Sequence, residues 1–361
     1  MENLGLKADF WSGKRVLVTG HTGFKGGWTS LVLTMLGAKV HGLSLPPTDD
    51  SIFFNSVGVD RFVASNDYVN IKNYDDCLRI INAAKPEILI HMAAQPLVRL
   101  SYSSPIETYA VNVMGTANIL EATRNLASVE AIVNVTTDKC YKNNEWEWPY
   151  RECEALGGYD PYSSSKACSE IVSAAYRDSF MRPKGVQLAT ARAGNVIGGG
   201  DWSKDRLLPD ILRAIDANKN IVIRSPASIR PWQHVLEPVV GYLLLAQKLS
   251  EEKSKFDSAW NFGPDENDCW SVGDVASKVC EFSGYPDWIA PSVKQPHEAS
   301  FLKLDSSKAK SRLGWRPRWH VDTALKKTIE WHKDFKLERD MYESSVNQIL
   351  SYQENISYYD N

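Results

Sequence analysis

The chain has 361 residues, and its 41 basic and 44 acidic side chains leave a formal charge of −3 at pH 7. This near balance excludes a general attraction to nucleic acid or to an anionic membrane, and the length favours one large domain or two unequal ones. The amino terminus lacks the apolar segment of a signal peptide, and the longest apolar run is too short to span a bilayer. Because the six cysteines lack C-x-x-C spacing and the histidines are scattered, we expect a cytoplasmic protein with reduced thiols, no membrane partner and no metal site.

Short apolar runs alternate with helical patterns in the first half of the chain. Strands are predicted at 14–20, 38–45, 88–90, 131–135 and 186–191, and helices at 28–36, 73–84, 106–124 and 161–181. Strands that are apolar throughout and separated by helices indicate a parallel sheet covered on both faces. The predicted fold class is therefore α/β, a Rossmann-type doubly wound parallel sheet.

The pattern changes after Gly194, where glycine and proline break the chain into shorter elements. Helical patterns return at 236–249, 272–282 and 321–335, while the tail from Leu337 has mixed polarity and receives no assigned function. We therefore predict a second, smaller carboxyl-terminal lobe. The predicted division places residues 1–195 with a returning segment 232–263 in the first domain, and residues 196–231 with 264–361 in the smaller lobe.

A glycine-rich turn, Gly20-His21-Thr22-Gly23-Phe24-Lys25-Gly26, joins the first strand to the first helix. Glycines permit a tight bend there and let a pyrophosphate approach the amides of a helix N-terminus. The spacing is G-x-x-G-x-x-G, and the alternative is an ordinary glycine-rich turn. Its place after the first strand, with more strand–helix units following, favours a dinucleotide site.

The end of the second strand bears on which dinucleotide binds. An acid at this point indicates the ribose hydroxyl of NAD, and an arginine indicates the extra phosphate of NADP. The strand ends in Ser44-Leu45-Pro46 and offers neither. Because Asp49 and Asp50 follow and would repel an added phosphate, we predict NAD.

Tyr162 and Lys166 are four residues apart in the predicted helix 161–181, and so lie one turn apart on the same face. A tyrosine with its ordinary pKa of about 10 is a poor base at neutral pH, but a nearby cation favours the phenolate. The pair can then remove a hydroxyl proton while a nicotinamide accepts a hydride. The alternative is an exposed tyrosine and lysine with no chemical task.

Thr137, Asp138 and Lys139 follow the strand 131–135, at the edge where open parallel sheets gather their ligands. Thr136 or Thr137 can hydrogen-bond a substrate there, while Asp138 and Lys139 offer a proton donor and a proton acceptor. The alternative is an ion pair in a loop.

The motifs together resemble the extended short-chain dehydrogenase/reductases that act on nucleotide sugars, and the resemblance covers nearly the whole chain. The matching segments are Thr19-Gly20-x-x-Gly23-Phe24-x-Gly26, His91-Met92-Ala93-Ala94, Asn112-Val113-x-Gly115-Thr116, Tyr162-x-x-x-Lys166, Asn195-Val196-x-Gly198, Leu304-Asp305-x-Ser307-Lys308-Ala309 and Leu313-Gly314-Trp315. The resemblance implies that the first domain binds NAD and the smaller lobe binds a nucleotide sugar.

The resemblance also implies which residues bind the coenzyme. These are Gly20, Thr22, Gly23, Phe24, Lys25, Gly26, Asn70, Ile71, Met92, Ala93, Ala94, Tyr162 and Lys166. Asn70-Ile71 stands where the family has an Asp-Ile or Asp-Val pair at the adenine, so a plain turn asparagine remains an alternative for Asn70.

Within the superfamily, the Thr137-Asp138 step resembles the 4,6-dehydratases, whose next residue is usually glutamate but here is Lys139. Residues 229–235 further resemble the CDP-glucose 4,6-dehydratases, which implies CDP-glucose as substrate and a role in deoxysugar biosynthesis of the O-antigen type. By this resemblance Asp138 is the general acid for the leaving hydroxyl. Lys139 is either the base at carbon 5 or a cation that steadies an enolate.

Six residues are implied to bind the substrate: Gln95, Thr137, Asn195, Arg206, Arg230 and His234. Trp232 is a weaker candidate, because tryptophans are more often simply packed. Relatives pair two helices per subunit, so we expect a homodimer through helices 106–124 and 161–181, with a trimer or tetramer left open. The remaining alternatives are a nucleotide-sugar 4-epimerase or decarboxylase on the same fold and a non-catalytic dinucleotide sensor.

Overall fold

The computed structural model describes residues 1–290 and 301–354. The strands in this part of the chain are β1 (Arg15–Thr19), β2 (Lys39–Ser44), β3 (Ser65–Tyr68), β4 (Ile88–His91), β5 (Ala131–Val135), β6 (Gln187–Ala193), β7 (Asn195–Ile197), β8 (Ile229–His234), β9 (Ala259–Phe262) and β10 (Cys269–Ser271). The α-helices are α1 (Ala8–Trp11), α2 (Phe24–Met35), α3 (Ile52–Val57), α4 (Tyr74–Ala84), α5 (Val98–Ser103), α6 (Pro105–Tyr109), α7 (Thr116–Thr123), α8 (Pro161–Tyr176), α9 (Leu207–Asp216), α10 (Leu236–Glu252), α11 (Val272–Ser283), α12 (Val321–Lys336) and α13 (Met341–Glu354). Segments of π-helix occur at Ala110–Gly115, Arg177–Met181 and Ala309–Leu313, and short 3-10 turns at Glu2–Leu4, Val59–Arg61, Asp138–Cys140, Arg182–Lys184, Lys253–Lys255 and Glu266–Asp268.

Seven strands form one parallel sheet in the order β3-β2-β1-β4-β5-β6-β9. The predicted doubly wound α/β fold is confirmed. Because the strands are parallel, their carboxyl ends meet at one edge, which brings together Thr19, His91 and Val135 and the segments that follow them. That edge carries the candidate site.

Both faces of the sheet are covered, as alternating strand residues show. Val16 and Val18 pack with α2 and α10, while Leu17 between them packs with α4 and α7. This period of two is what a strand buried on both faces requires.

A second sheet of three strands has the order β10-β8-β7. Helices α9, α11 and α12 pack around it in a separate core that includes Leu208, Trp232 and Leu325. The chain also returns to the main sheet, since β9 pairs in parallel with β6 and α10 contacts β5. The predicted division at residues 195, 232 and 263 stays a prediction, and residues 291–300 and 355–361 of its smaller lobe lie outside the described residues.

Several elements differ from the sequence-based expectation. The expected helix 28–36 begins earlier, at Phe24. The prediction began too late because Gly26 and Gly27, which are poor helix formers, lie in the first turns of α2. The edge strand β3 is polar and half-exposed, so no apolar run in the sequence predicted it. The long helix expected at 106–124 is α6, a π-helical segment and α7 in succession. In the tail, α13 packs on α12, where the Trp331 indole donates to the Ser345 hydroxyl at 2.9 Å.

Candidate active site

The glycine-rich turn is held by close backbone contacts. Gly20 has a φ of +76°, and a Cβ there would lie 2.9 Å from the backbone nitrogen of Ala93. A Cβ on Gly26 would lie 2.1 Å from the carbonyl oxygen of Gly20. Since no side chain fits at either position, helix α2 begins directly against the turn.

The amino terminus of α2 faces the carboxyl edge of β1. Gly23 precedes its first residue, and no side chain caps the helix there. The Thr22 hydroxyl is bonded to the Ser44 hydroxyl at 2.6 Å and to the Leu45 carbonyl at 3.1 Å, which ties the turn to the end of β2. Uncapped amides at a helix N-terminus next to a glycine turn fit a phosphate group. This arrangement suits the pyrophosphate of a dinucleotide.

A cavity of about 830 Å³ opens at this edge of the sheet. Its wall includes the sequence-predicted residues Phe24, Lys25, Met92, Ala94, Thr137, Asp138, Lys139, Tyr162, Lys166, Asn195, Arg206, Arg230 and Trp232. The structure therefore brings the five predicted catalytic residues together with seven other predicted ligand-binding residues. The predicted coenzyme residues Gly20, Thr22, Gly23, Gly26 and Ala93 are not part of this wall. The volume is in the range typical of small-ligand sites.

The surroundings of Tyr162 differ from the expected tyrosine–lysine pair. Burial raises the pKa of Tyr162 to about 12, and a hydrogen bond with Thr137 and the charge of Arg206 only partly oppose this. Lys166 instead donates to the Val135 carbonyl oxygen at 3.3 Å. Burial outweighs the groups that lower the Tyr162 pKa in the protein alone, so the expected help from Lys166 stays a prediction.

Lys166 is a buried cation of the site, and Lys25 is a partly buried one. Burial lowers the pKa of Lys166 to about 8, although Glu170 opposes the shift. The pKa of Lys25 falls to about 7, first through burial and then through repulsion from Arg206 and Lys166. The coenzyme turn thus carries a lysine that gains from an anionic neighbour.

Asp138 and Lys139 lie in the 3-10 turn after β5. Oδ1 of Asp138 accepts from the Thr137 hydroxyl at 2.9 Å and lies 3.9 Å from Nζ of Lys139. Among the described residues, the buried Oδ2 of Asp138 has no hydrogen-bond partner. Lys139 is partly exposed on the cavity wall. A carboxyl group with one free oxygen beside an amine can serve proton transfer at a bound substrate.

The predicted substrate residues in the cavity come from three elements. Asn195 begins β7, Arg230 lies in β8, and Arg206 precedes α9. Arg206 pairs with the buried Asp201 at 2.9 Å, a partner that the sequence did not suggest. The two arginines provide guanidinium groups suited to phosphate oxygens.

Two predicted substrate residues lie outside the cavity wall. The Gln95 side-chain amide donates to Thr108 Oγ1 at 2.9 Å and to the Leu97 carbonyl at 3.1 Å, and its oxygen accepts from the Leu97 amide at 2.5 Å. His234 is fully buried, with its ring 4.9 Å from that of Trp319 and 6.0 Å from that of Trp28. In the protein alone these side chains serve loop geometry and core packing, so their role at the substrate stays a prediction.

Asn70 and Ile71 also lie away from the cavity wall. Oδ1 of Asn70 accepts from the Lys72 amide at 3.0 Å, as in a turn asparagine. Ile71 is buried against Gly115, where a Cβ would come within 2.5 Å of the isoleucine Cδ1. Their role at the adenine stays a prediction.

The sequence reading missed a buried ion pair beneath the site, between Glu170 and Arg192. One signal was available, since Arg192 interrupts an apolar strand and a buried arginine requires a partner. The partner's identity was not readable from the strand alone.

The sequence of this chain is also similar to those of known proteins. A model of the family described as GDP-mannose 4,6 dehydratase matches residues 17–328. A protein of Salmonella typhimurium (strain LT2) named CDP-glucose 4,6-dehydratase is 50% identical over 356 residues, covering 95% of this chain and 97% of that relative.

Two solved structures show the same fold. UDP-glucose 4-epimerase from Thermotoga maritima, with UDP-glucose, matches with a TM-score of 0.78 at 21% identity over 89% of this chain and 99% of that chain. The dTDP-glucose 4,6-dehydratase DesIV from Streptomyces venezuelae, solved with NAD bound, matches with a TM-score of 0.76 at 20% identity over 91% and 99%. With the family model matching most of the chain, the resemblance drawn from the motifs is confirmed, and the chain belongs to the GDP-mannose 4,6-dehydratase family.

Proposed function

We propose that this protein is a CDP-glucose 4,6-dehydratase that uses bound NAD and forms CDP-4-dehydro-6-deoxyglucose, a precursor for deoxysugars. One observation carries the proposal: the predicted catalytic residues line a single cavity in a chain that is 50% identical, over nearly its full length, to a relative with that name. The substrate's base and sugar come from that relative's name.

The residues of the glycine turn fit NAD. The uncapped first turn of α2 accommodates the pyrophosphate, and Lys25 adds a cation at the same place. When bound, NAD supplies the hydride acceptor for carbon 4 and returns the hydride to carbon 6, so the reaction is redox-neutral overall.

Tyr162 removes the proton from the hydroxyl on carbon 4. Because the pKa of its phenol is about 12 in the protein alone, positive charge is needed to favour the phenolate at neutral pH. Lys166 and Arg206 line the same cavity and supply that charge in this proposal, and the Thr137 hydroxyl steadies the phenolate oxygen.

Asp138 and Lys139 carry out the loss of water in this proposal. A ketone at carbon 4 acidifies the proton on carbon 5, and Lys139 as a neutral amine accepts that proton. The resulting ammonium group gives a proton back to carbon 5 when the hydride adds to carbon 6. Asp138 gives its proton to the hydroxyl on carbon 6, which leaves as water, and its unpartnered Oδ2 is the oxygen available for this transfer. Asn195, Arg206 and Arg230 hold the diphosphate.

The test is to incubate purified protein and NAD separately with CDP-, UDP-, dTDP- and GDP-glucose. We expect a keto sugar, detected by its absorbance in alkali, to form fastest from CDP-glucose. A 4-epimerase or decarboxylase is separated by mass, since an epimerase product keeps the substrate's mass and a dehydratase product lacks one water. Failure of all four substrates would refute the proposal.

We also propose a homodimer formed by the surface around helices α6, α7 and α8. Three exposed apolar side chains lie there, Ile106, Met114 and Ile171, and Ile106 is 81% exposed. We expect light scattering to give the mass of a dimer and Ile106→Lys to weaken it. The matched control is Leu337→Lys, which changes a side chain that is 65% exposed outside these helices.

A cytoplasmic location is part of the proposal as well. All six cysteines are free, which suits a reducing compartment. Fractionation of the native host would test this location.

A further inference from the structure

A buried ion pair joins helix α8 to strand β6 directly beneath the site. Nε of Arg192 donates to Oε1 of Glu170 at 2.9 Å, and Nη2 donates to Oε2 at 2.9 Å. The side chains are only 4% and 3% exposed. A two-point contact of this kind fixes the orientation of both groups.

The remaining hydrogen-bonding capacity of the pair is used by its neighbours. Glu170 also accepts from the hydroxyls of Thr136 and, at 2.6 Å, Thr190. Nη1 of Arg192 donates to the Tyr141 hydroxyl at 2.8 Å and to the Glu152 carbonyl at 3.3 Å. Because Glu170 accepts four hydrogen bonds and Arg192 donates four, the network is rigid in spite of its burial.

Two of these partners flank the proposed catalytic turn. Thr136 immediately precedes Thr137, and Tyr141 follows Cys140 at the end of the 3-10 turn Asp138–Cys140. The Tyr141 hydroxyl is further anchored, since it donates to Oδ1 of Asn261 in β9 at 2.7 Å. One ion pair therefore holds both ends of the segment that carries Thr137, Asp138 and Lys139.

The same pair reaches Lys166. Glu170 lies one helical turn after Lys166 on α8, and its negative charge is the largest influence that opposes the lowering of the Lys166 pKa by burial. The Lys166 ammonium donates to Val135, the residue just before Thr136. Helix α8 and the catalytic turn are thus connected twice, through Lys166 and through Glu170.

We propose that Glu170 and Arg192 are positioning residues for the dehydration, which hold the turn 137–140 and Lys166 in fixed relation to each other. This inference rests on the proposed function. Neither residue lines the cavity, so they act through Thr137, Asp138 and Lys166.

The decisive experiment compares Thr136→Val with Thr190→Val. Each variant removes one hydroxyl that donates to Glu170 from a buried position, but only Thr136 adjoins the catalytic turn. We expect similar losses in Tm, with kcat for dehydration falling roughly tenfold or more in Thr136→Val alone and KM nearly unchanged, because misplaced catalytic groups slow the chemical step. Equal kcat values in the two variants would overturn the proposal.

The link to Lys166 is tested by the pH dependence of kcat/KM in Glu170→Gln. Without the carboxylate the pKa of Lys166 falls further, so we expect the alkaline limb of the profile to move to lower pH. The control is Asp257→Asn, which breaks an ion pair with Arg182 made at 2.8 Å away from the cavity. An unmoved limb would overturn this link. A wild-type protein inactive on all four nucleotide sugars would instead refute the proposed function, and this inference with it.

Discussion

Lys25 and Lys139 both line the cavity, but their surroundings prepare them for different tasks. Lys25 is crowded by the charges of Arg206 and Lys166, so an anion is its natural partner. Lys139 is partly exposed and lies 3.9 Å from the carboxylate of Asp138. The first placement suits ligand binding, and the second suits proton transfer.

Replacing Lys139 with methionine tests its role as the base at carbon 5. We expect Lys139→Met to lose incorporation of solvent deuterium at carbon 5 and to form keto sugar at a rate lower by roughly a hundredfold, since it lacks the accepting amine. Lys142→Met is the matched control, because Lys142 also lines the cavity. Undiminished deuterium incorporation in Lys139→Met would assign the base to another group.

Lys25 should make NAD binding pH-dependent. Its pKa is about 7 in the protein alone, and an anionic pyrophosphate raises that pKa. Binding should therefore take up about one proton at roughly pH 8 and much less at roughly pH 6. Calorimetry in buffers of different ionisation enthalpy measures this uptake.

The controls for this prediction are two substitutions at the same position. Lys25→Met should bind NAD more weakly and without the pH-linked uptake, and Lys25→Arg should bind without uptake because arginine stays charged. Proton uptake identical to that of the wild type in Lys25→Met would show that another group titrates.

At the scale of elements, the glycine turn determines where helix α2 begins. The carbonyl oxygen of Gly20 accepts from the Gly23 amide at 3.0 Å and also lies where a Cβ of Gly26 would be placed. The turn and the first helical turn are therefore one packed unit, and the uncapped helix amides depend on it.

Gly26→Ala should disturb this unit. A Cβ there lies 2.1 Å from the Gly20 oxygen, so the turn or α2 must shift. We expect a loss of about 1–3 kcal/mol in the free energy of unfolding and much weaker NAD binding, measured by denaturation and calorimetry. Gly23→Ala is the milder comparison, because its Cβ lies 3.3 Å from the same oxygen. Unchanged NAD affinity in Gly26→Ala would contradict this account of the turn.

At the scale of the whole molecule, Glu237 connects distant parts of the chain. It lies at the start of α10 and accepts from the backbone amides of Arg318, at 3.1 Å, and Trp319, at 2.8 Å. It also accepts from the Tyr352 hydroxyl of α13 at 2.6 Å. The carboxyl-terminal helix is thereby fastened to a helix that covers the main sheet.

Among the described residues, no helix is both long enough and apolar enough to cross a membrane.

Glu237 should make stability depend on pH. Burial raises its pKa to about 7, so the folded protein holds this proton more tightly than the unfolded chain does. The stabilisation is complete below the unfolded pKa of about 4.3 and is lost as the pH rises through about 7. Between roughly pH 5 and pH 8 we expect the free energy of unfolding of the wild type to fall by up to about 3 kcal/mol relative to that of Glu237→Gln. The control is Glu251→Gln, on the exposed side of α10, which should follow the wild type when Tm is measured across this pH range. Parallel plots of Tm against pH for all three proteins would refute the prediction.

Local patterns were sufficient for much of the fold. The apolar strand over 131–135 coincides with β5, and the helices expected at 73–84 and 272–282 match α4 and α11 to within one residue at each end. Such elements have a strong period and clear end signals. The polar edge strand β3 and the π-helical segments carry neither, so they were missed.

The sequence by itself determined the doubly wound fold, the glycine turn and the order of residues in the catalytic turn, because these depend on neighbours within a few positions. Only the tertiary structure decided that the charge of Arg206 acts on the Tyr162 phenol, and that Glu170 meets Arg192. It likewise decided that the Gln95 side chain bonds Thr108 and that the His234 ring packs against Trp319. Contacts of this kind join residues that are far apart in the chain, and burial then sets their pKa values, so no local pattern records them.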